Sequence, residues 1–127
     1  MTTKTPGPLA AYRILEIGTG DTLAYCGKLF ADFGAEVIKC EPEGGDPRRR
    51  EGVQVTTGSG SESAYFAWLN SNKLSIIADP ATAQGAATIR SLLPSCDLLL
   101  DGRSPTAVEG STLRPKDLHA PDPGLSI

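Results

Sequence analysis

Positively charged side chains suited to phosphate binding occur in three parts of the sequence. Arg48 and Arg49, followed by Arg50, lie in a polar, Gly-rich stretch, Lys73 lies in a turn, and Arg103 follows an apolar run. A guanidinium group can donate two parallel hydrogen bonds to one phosphate. Runs of arginine in loops and lysines in turns are also commonly solvated, so the residue types leave both interpretations open.

A Gly-rich turn supplies a second candidate for anion binding. The segment Gly18-Thr19-Gly20-Asp21-Thr22 follows an apolar run and precedes a helical pattern. Glycines allow a ligand to approach the backbone, and the amides of a helix N-terminus favour anions. The first two glycines of the dinucleotide fingerprint are present, but Leu23 stands at the third position. A purely structural turn, capped by Asp21 or Thr22, is the alternative.

The spacing of apolar residues predicts strands and helices in alternation. Buried strands are predicted over 13–17, 35–42, 74–79 and 97–101, helices over 23–33, 63–70 and 80–93, and the opening of a fifth strand over 123–127. This order predicts an α/β domain over residues 11–127, with a Rossmann-like parallel sheet and flanking helices in three α/β/α layers. Residues 1–10 are predicted to be a flexible arm.

Parallel strands end at one edge of a sheet, where ligands of this fold class bind. The predicted strand ends are 18–22, 41–50, 78–79 and 101–104. At that edge Glu41, Asp79 and Asp101 could accept hydrogen bonds from a ribose. Glu41 could instead stabilise its own loop, and Asp79 could cap the helix that begins near Pro80.

Two further segments carry weaker signals. Residues 43–62 are polar and Gly-rich and are predicted to form a long loop, mobile over 56–63. On the short helix 63–70, Tyr65 and Trp68 are predicted to belong to the core rather than to stack on a ligand.

Composition excludes several classes of protein. The net charge of −3 over 127 residues gives no overall basic field for nucleic acid, and no apolar run is long enough to span a membrane. The three cysteines, Cys26, Cys40 and Cys96, have no metal-binding or redox spacing, which predicts reduced, partly buried thiols and a cytoplasmic location. His119, the single histidine, is predicted to be a surface residue.

Longer blocks of the sequence resemble the family III CoA-transferases. The blocks are 29–42 (LFADFGAEVIKCEP), 44–49 (GGDPRR), 63–66 (SAYF) and 69–76 (LNSNKLSI), in the family's order and with similar gaps. Residues 95–101 are similar to the family's strand before its Asn-Phe turn, and Leu113, Pro115 and Leu118 fit a further Leu-x-Pro-x-x-Leu run. The resemblance extends over residues 11–127.

The resemblance implies a domain that binds the adenosine and phosphates of CoA in a CoA-transferase or acyl-CoA racemase-like protein, with a CoA thioester as substrate and no covalently bound cofactor. It also implies a homodimer in the full-length protein. The family's nucleophilic aspartate, which forms covalent intermediates, lies beyond the matched region. No catalytic residue is therefore assigned, and we expect no turnover by these residues alone. The predicted CoA contacts are Gly18, Thr19, Gly20, Asp21, Thr22, Glu41, Arg48, Arg49, Lys73, Asp79, Asp101, Gly102 and Arg103.

Departures from the family pattern leave two alternatives. Thr22, Leu23 and Ala24 replace the family's Ala-Gly-Pro, Gly102 and Arg103 replace its Asn-Phe, and Pro42 replaces a basic residue that some members place near the adenosine. The turn at Gly18 and Gly20 also resembles motif I of S-adenosylmethionine-dependent methyltransferases, with Glu41 as the ribose-binding acid. The first alternative is thus an S-adenosylmethionine- or dinucleotide-binding domain, and the second is a non-catalytic association module.

Overall fold

A four-stranded parallel sheet lies at the centre of the computed structural model, which describes residues 6–127. In chain order the elements are β1 (Arg13–Ile17), α1 (Asp21–Asp32), β2 (Glu36–Glu41), a 3₁₀ helix (Pro47–Arg50), β3 (Gln54–Thr57), β4 (Gly60–Ser63), α2 (Ala64–Leu69), β5 (Leu74–Ile77), α3 (Ala83–Leu92), a second 3₁₀ helix (Leu93–Ser95), β6 (Leu98–Asp101), α4 (Pro105–Glu109) and α5 (Pro115–His119). The strand order is β5-β2-β1-β6. The predicted parallel α/β fold is confirmed.

The central strand β1 sets the division of the core. Side chains alternate between the two faces of a strand, so Leu15 and Ile17 point to one face while Ile14 and Glu16 point to the other. The first face carries the larger apolar cluster, which contains Leu15, Ile17, Ile38, Cys40, Ala78, Ala86, Ile89, Leu93, Cys96, Leu99, Leu113, Leu118 and Leu125. The second carries a smaller cluster of Ile14, Ala31, Ala35 and Val37 under α1. Helices therefore cover both faces, as three layers require.

The register brings charged residues together inside the sheet. In the parallel pairing of β1 with β2, Glu16 lies opposite Lys39, and both side chains are buried. The α1 face thus combines a small apolar cluster with buried charge, whereas the α3 face is apolar.

The stretch predicted as a long loop over 43–62 contains a β-hairpin, so the prediction of a loop without secondary structure was wrong. Strands β3 and β4 pair antiparallel, with Gln54 opposite Ser63 and Thr57 opposite Gly60. Ser63 then caps α2, since its Oγ accepts a hydrogen bond from the Phe66 amide at 3.1 Å. Backbone pairing stabilises the hairpin, and this cap fixes the chain where the hairpin ends. Because its strands are polar, they lack the apolar alternation by which strands are usually predicted.

The prediction that Tyr65 and Trp68 are core residues was also wrong. Helix α2 has only six residues and buries Phe66 and Leu69, which leaves Tyr65 at 44% and Trp68 at 53% exposure. The Trp68 ring stacks on Tyr65 and on Tyr25 of α1, with centroid separations of 6.3 and 6.1 Å. The aromatic residues thus form a surface stack across α1 and α2.

Several element boundaries differ from the predicted ones. Helix α3 begins at Ala83 rather than at Pro80, because the Thr82 hydroxyl caps it by accepting from the Gly85 amide. Two short helices that the apolar spacing did not predict, α4 and α5, follow β6. The predicted fifth strand is present as a parallel bridge between Ser126 and Leu98.

The predicted arm divides into two parts. Residues 1–5 lie outside the described residues. Within the remainder, the Leu9 amide donates to the Phe33 carbonyl at 3.1 Å, and Leu9 packs against the cluster under α1. Leu9 therefore contacts the domain instead of extending from it.

The three cysteines lie in the described part of the chain, and their burial can be compared with the prediction. Cys40 and Cys96 are buried and Cys26 is half-buried, all as free thiols. Burial, with a smaller contribution from Cys96, raises the pKa of Cys40 to about 12, so this thiol stays protonated.

Between residues 6 and 127 no helix has the length and apolar character needed to cross a bilayer.

Gly27 in α1 provides a test of the packing on the charged face. A Cβ there would overlap the Glu16 carboxylate and lie 3.1 Å from the Lys73 ammonium. Gly to Ala inside a helix ordinarily stabilises by roughly 0.5–1 kcal/mol. For Gly27→Ala we expect the opposite, a fall in the free energy of unfolding of about 1–3 kcal/mol measured by urea denaturation.

The matched control is Gly58→Ala in the β3–β4 turn, where a Cβ meets nothing within 4 Å. This variant should change the free energy of unfolding by less than about 0.5 kcal/mol. If Gly27→Ala were as stable as the wild type, the position of the Glu16 carboxylate would not require glycine at residue 27.

Candidate functional site at the carboxyl edge of the sheet

The four predicted strand ends lie together at the carboxyl edge of the sheet. The Gly102 amide donates to the Ile17 carbonyl, and the Ala78 amide donates to the Glu41 carbonyl, both at 2.9 Å. The turns after β1 and β6 are in close contact, since a Cβ on Gly18 would lie 3.0 Å from the Gly102 carbonyl carbon. The expected convergence of these segments is present.

The turn after β1 leaves its backbone open. Gly18 and Gly20 have φ values of 106° and 118°, which favour glycine, and Gly20 is the N-cap of α1 without a side-chain cap hydrogen bond. A Cβ at Gly20 would meet nothing within 4 Å. Thr19 and Thr22 are exposed beside it. The amides of the first turn of α1 are thus reachable, as anion binding at a helix N-terminus requires.

A cleft of about 510 Å³ lies between the start of α3 and the segment around α4 that follows β6. Its walls include Thr82, Ala86, Arg103, Thr106 and Ser111. The volume falls in the range of small-molecule sites, roughly 300–1,000 Å³. Small side chains line most of the cleft, so its walls leave room for a flat heterocycle.

Glu41 has no free oxygen for a ribose. Its Oε2 accepts from the Asp46 amide and from Arg49 Nε, each at 2.7 Å, and its Oε1 accepts from Arg49 Nη2 at 2.6 Å and from Ser75 Oγ at 2.5 Å. A carboxylate has about four acceptor positions, and all four are used. The structure therefore places Glu41 as the stabiliser of its loop, which is the alternative to the ribose role.

These contacts change the acidity of Glu41. Burial alone would raise the pKa of this carboxyl group, but the hydrogen bonds from Arg49, Ser75 and Asp46 favour the anion more strongly and lower the pKa to about 2. The carboxylate therefore remains charged throughout the physiological range.

The two predicted phosphate-binding arginines of the loop have carboxylate partners. Arg48 lies 3.2 Å from Asp21 Oδ1 and 3.0 Å from Glu51 Oε2, and its side chain is 37% exposed. Arg49 pairs with Glu41 and lies 4.2 Å above the Phe66 ring. Because Arg48 is itself partly exposed and its partner Glu51 lies in solvent, Arg48 can exchange that contact for a ligand at a smaller cost than Arg49 can exchange the buried Glu41.

Arg50 is the arginine that the sequence interpretation did not select. It is exposed and donates to the Gly44 carbonyl at 3.0 Å. Among the ion pairs within residues 6–127, none includes Arg50. The unpaired positive charge of the loop therefore lies at Arg50, and Arg48 offers a charge that is shared with two carboxylates.

Lys73 is a buried structural residue. Its Nζ donates to Glu16 Oε2 at 2.8 Å, to the Ala24 carbonyl at 2.7 Å and to Asn70 Oδ1 at 3.0 Å, and its side chain is 2% exposed. An ammonium group has three donors, so none remains for a ligand. The solvated alternative was wrong, and the predicted ligand contact has no free N–H group to support it.

Arg103 and Asp101 form a clamp at the end of β6. Arg103 donates from Nε and Nη2 to the two oxygens of Asp101 at 2.9 and 2.7 Å, and from Nη1 and Nη2 to Ser111 Oγ and the Leu113 carbonyl. Its side chain is 7% exposed. Four hydrogen bonds fix the guanidinium plane on the wall of the cleft. Asp101 is consumed by this clamp.

Asp79 lies beside a second, smaller cavity of about 280 Å³. Its Oδ1 accepts from the Ala81 amide at 2.8 Å, which forms a turn ahead of the Thr82 cap. Asp79 therefore does not cap α3 itself. The predicted ligand contact at this position stays a prediction.

A buried charge network below the loop was missed by the sequence interpretation. Lys39 Nζ lies 3.0 Å from Glu16 Oε1 and 3.0 Å from Asp46 Oδ2, and Glu16 also binds Lys73. Burial would lower the pKa of Lys39, but the two carboxylates outweigh it and raise that pKa. Burial dominates at Lys73 and lowers its pKa despite the pair with Glu16. The signal was one charged residue among the apolar residues inside each of two adjacent strands, Glu16 in β1 and Lys39 in β2.

Comparison with known proteins decides the family. Residues 9–127 match the sequence model of CoA-transferase family III. The chain belongs to this family. It is 41% identical over 123 residues to succinyl-CoA–D-citramalate CoA-transferase of Chloroflexus aurantiacus, an alignment that covers 96% of this chain and 30% of that relative. It is 32% identical over 126 residues to a probable fatty acyl-CoA transferase of Mycobacterium tuberculosis, covering 98% and 32%.

Solved structures agree with this assignment. A CAIB/BAIF family protein from Brucella suis superposes with a TM-score of 0.84 at 27% identity, over 91% of this chain and 31% of that one. A crystal structure from Mycobacterium tuberculosis gives a TM-score of 0.81 at 30% identity, over 95% and 32%. The chain spans about a third of the length of these relatives.

The pKa of Glu41 generates a prediction about stability in acid. A carboxyl group whose pKa is lowered in the folded state stabilises the fold above its ordinary pKa of 4.5, and this contribution is lost as the pH falls through about 2. Glu41→Gln should lower the free energy of unfolding at pH 7 by roughly 1–3 kcal/mol. The difference from the wild type should narrow between pH 4.5 and pH 2 in urea titrations.

Glu51→Gln is the control for this experiment, since it removes an exposed partner of Arg48. Its effect at pH 7 should stay below about 1 kcal/mol. A deficit of Glu41→Gln that is constant across the acid range would contradict the assigned pKa.

Proposed function

We propose that residues 11–127 bind CoA for a family III CoA-transferase, with a CoA thioester as the substrate. The observation that carries the proposal is the combination, at one sheet edge, of an open glycine turn, a cleft of about 510 Å³, the exposed Arg50 and the partly exposed Arg48. CoA combines a flat adenine with a chain of phosphates. Each part has a matching feature at this edge.

The phosphates of CoA are assigned to the turn after β1 and to the neighbouring loop. Amides at the start of α1 donate to an anion, and the positive end of the helix dipole lies there. Arg48 reaches this turn, because its guanidinium lies 3.2 Å from Asp21. Arg50 adds an exposed charge from the same loop.

The adenine is assigned to the cleft between the start of α3 and the segment around α4. Arg103 is fixed on its wall by four hydrogen bonds, so its plane is preorganised and little entropy is lost on binding. Thr82 and Thr106 add hydroxyl groups to an otherwise small-sided lining. A rigid, shallow wall of this kind suits a planar ring.

The acyl-transfer chemistry is assigned to the whole protein. Relatives about three times as long carry names such as succinyl-CoA–D-citramalate CoA-transferase. The nucleophilic carboxylate of the family reaction is proposed to lie outside residues 11–127, and the full-length protein is proposed to be a homodimer. The chain alone is then a binding domain without turnover.

The S-adenosylmethionine alternative loses its main support. That interpretation needs Glu41 to accept hydrogen bonds from a ribose, and all four acceptor positions of Glu41 are occupied inside the protein. The glycine turn remains compatible with several nucleotide ligands, so binding experiments must include both CoA and S-adenosylmethionine.

The test is a two-dimensional NMR titration of the labelled chain with CoA, 3′-dephospho-CoA and S-adenosylmethionine. We expect CoA to shift the amides of 18–24, 41–50 and 101–104. Arg48→Gln should weaken CoA binding about five- to tenfold and reduce its salt dependence, since a charge-assisted phosphate contact is lost. A smaller effect of Arg48→Gln on 3′-dephospho-CoA would assign the 3′-phosphate to this arginine.

Arg13→Gln is the matched control. Arg13 is an exposed, ion-paired arginine, but it lies at the opposite end of β1 and pairs with Glu36. Its substitution should leave CoA affinity unchanged. Shifts caused by S-adenosylmethionine alone would favour the methyltransferase-like interpretation, and the absence of shifts from all three ligands would overturn the proposed function.

A further inference from the structure

The loop that presents Arg48 and Arg50 is attached to the sheet through Asp46. Its Oδ2 lies 3.0 Å from Lys39 Nζ, its Oδ1 accepts from the Arg48 amide at 2.9 Å, and its own amide donates to Glu41 at 2.7 Å. The Asp46 side chain is almost completely buried. Asp46 therefore joins the first turn of the 3₁₀ helix to two residues of β2, Lys39 and Glu41.

Lys39 is in turn fixed from below. Glu16 holds Lys39 through Oε1 at 3.0 Å and Lys73 through Oε2 at 2.8 Å. Lys73 also donates to the Ala24 carbonyl of α1. The result is a continuous chain of charge pairs, Lys73–Glu16–Lys39–Asp46, which runs from the helix across the sheet to the loop.

The geometry points to Lys39 as a positioning residue for the CoA site: through Asp46 it fixes the 46–50 segment so that Arg48 faces the turn after β1. This inference rests on the proposed function. The charges explain why Lys39 suits the task. Two lysines and two carboxylates neutralise one another, so the buried chain of pairs carries no net charge, and Lys39 is the one member with a carboxylate on each side.

Ordering the loop before binding raises affinity, because the entropy of fixing its side chains is lost during folding rather than during association. Removing the tether should therefore affect the loop and its ligand while leaving the sheet intact. A role in general stability would instead affect every part of the fold.

The variant for this test is the double substitution Lys39→Met with Asp46→Asn. It removes one cation and one anion together, so the Glu16–Lys73 pair stays balanced and no lone buried charge is created. The control is Lys28→Met with Asp32→Asn, the same two changes at an ion pair of 2.8 Å in α1 whose members also contact Ser71 and Asn72, away from the 46–50 segment.

Amide hydrogen exchange of the free chain is the first readout. In the Lys39/Asp46 variant, protection of the Arg48 and Arg49 amides should fall about tenfold or more, while the Gly102 and Ala78 amides of the sheet edge keep theirs. Unchanged protection at Arg48 and Arg49 would overturn the inference. An equal loss at all four amides would also overturn it, since the role would then be one of stability.

CoA affinity is the second readout. The dissociation constant should rise about tenfold in the Lys39/Asp46 variant and stay constant in the Lys28/Asp32 control. If the wild type binds CoA and the variant binds it equally well, the positioning role is wrong and the proposed function stands. If the wild type does not bind CoA, the proposed function fails, and a selective exchange effect would still show that Lys39 tethers the loop.

Discussion

The buried carboxylate of Glu16 is the interaction on which the α1 face of this domain depends. It stands at 0% exposure in the central strand between two lysines, one from the neighbouring strand and one from the turn before β5. An isolated buried carboxylate is unfavourable by many kcal/mol, so these partners must be in place whenever the sheet is formed. The absence of a side chain at Gly27 provides the space in which the carboxylate lies.

This requirement joins elements that are distant in sequence. Lys39 arrives with β2 and carries the loop through Asp46, and Lys73 arrives with the α2–β5 turn and holds a carbonyl of α1. Glu41, two residues after Lys39 in β2, is a second buried carboxylate with side-chain partners, here Arg49 and Ser75. The carboxyl edge of the sheet is thus organised from beneath by charge pairs, while the α3 face is organised by apolar packing.

The periodic part of the fold was accessible to sequence reasoning. Apolar runs such as 13–17 and the helical spacing after Asp21 depend on local pattern, and the parallel order follows from strand–helix–strand alternation. Convergence of the strand ends then followed from topology. The hairpin at 54–63 escaped because its strands are polar, and the exposure of Trp68 escaped because a six-residue helix buries only one side.

The partners of charged side chains could not be obtained in this way. The residue types at Glu41, Arg49 and Lys73 agree equally with a ligand site and with internal pairing, and the choice depends on tertiary distances of 3 Å or less. Register offers a partial route. Once β1 and β2 are aligned as parallel neighbours, Glu16 falls opposite Lys39, and a buried pair becomes the expected outcome.

The surface position of Trp68 determines which part of the protein its intrinsic fluorescence monitors. It is the single tryptophan of the chain, and it lies half in solvent between two tyrosines, with the Lys28 ammonium 5.4 Å from its ring centroid. Its emission therefore describes the surface formed by α1 and α2 rather than the core. Unfolding should change the polarity around this indole only modestly, whereas an apolar surface that covers the aromatic stack should move the emission to shorter wavelength.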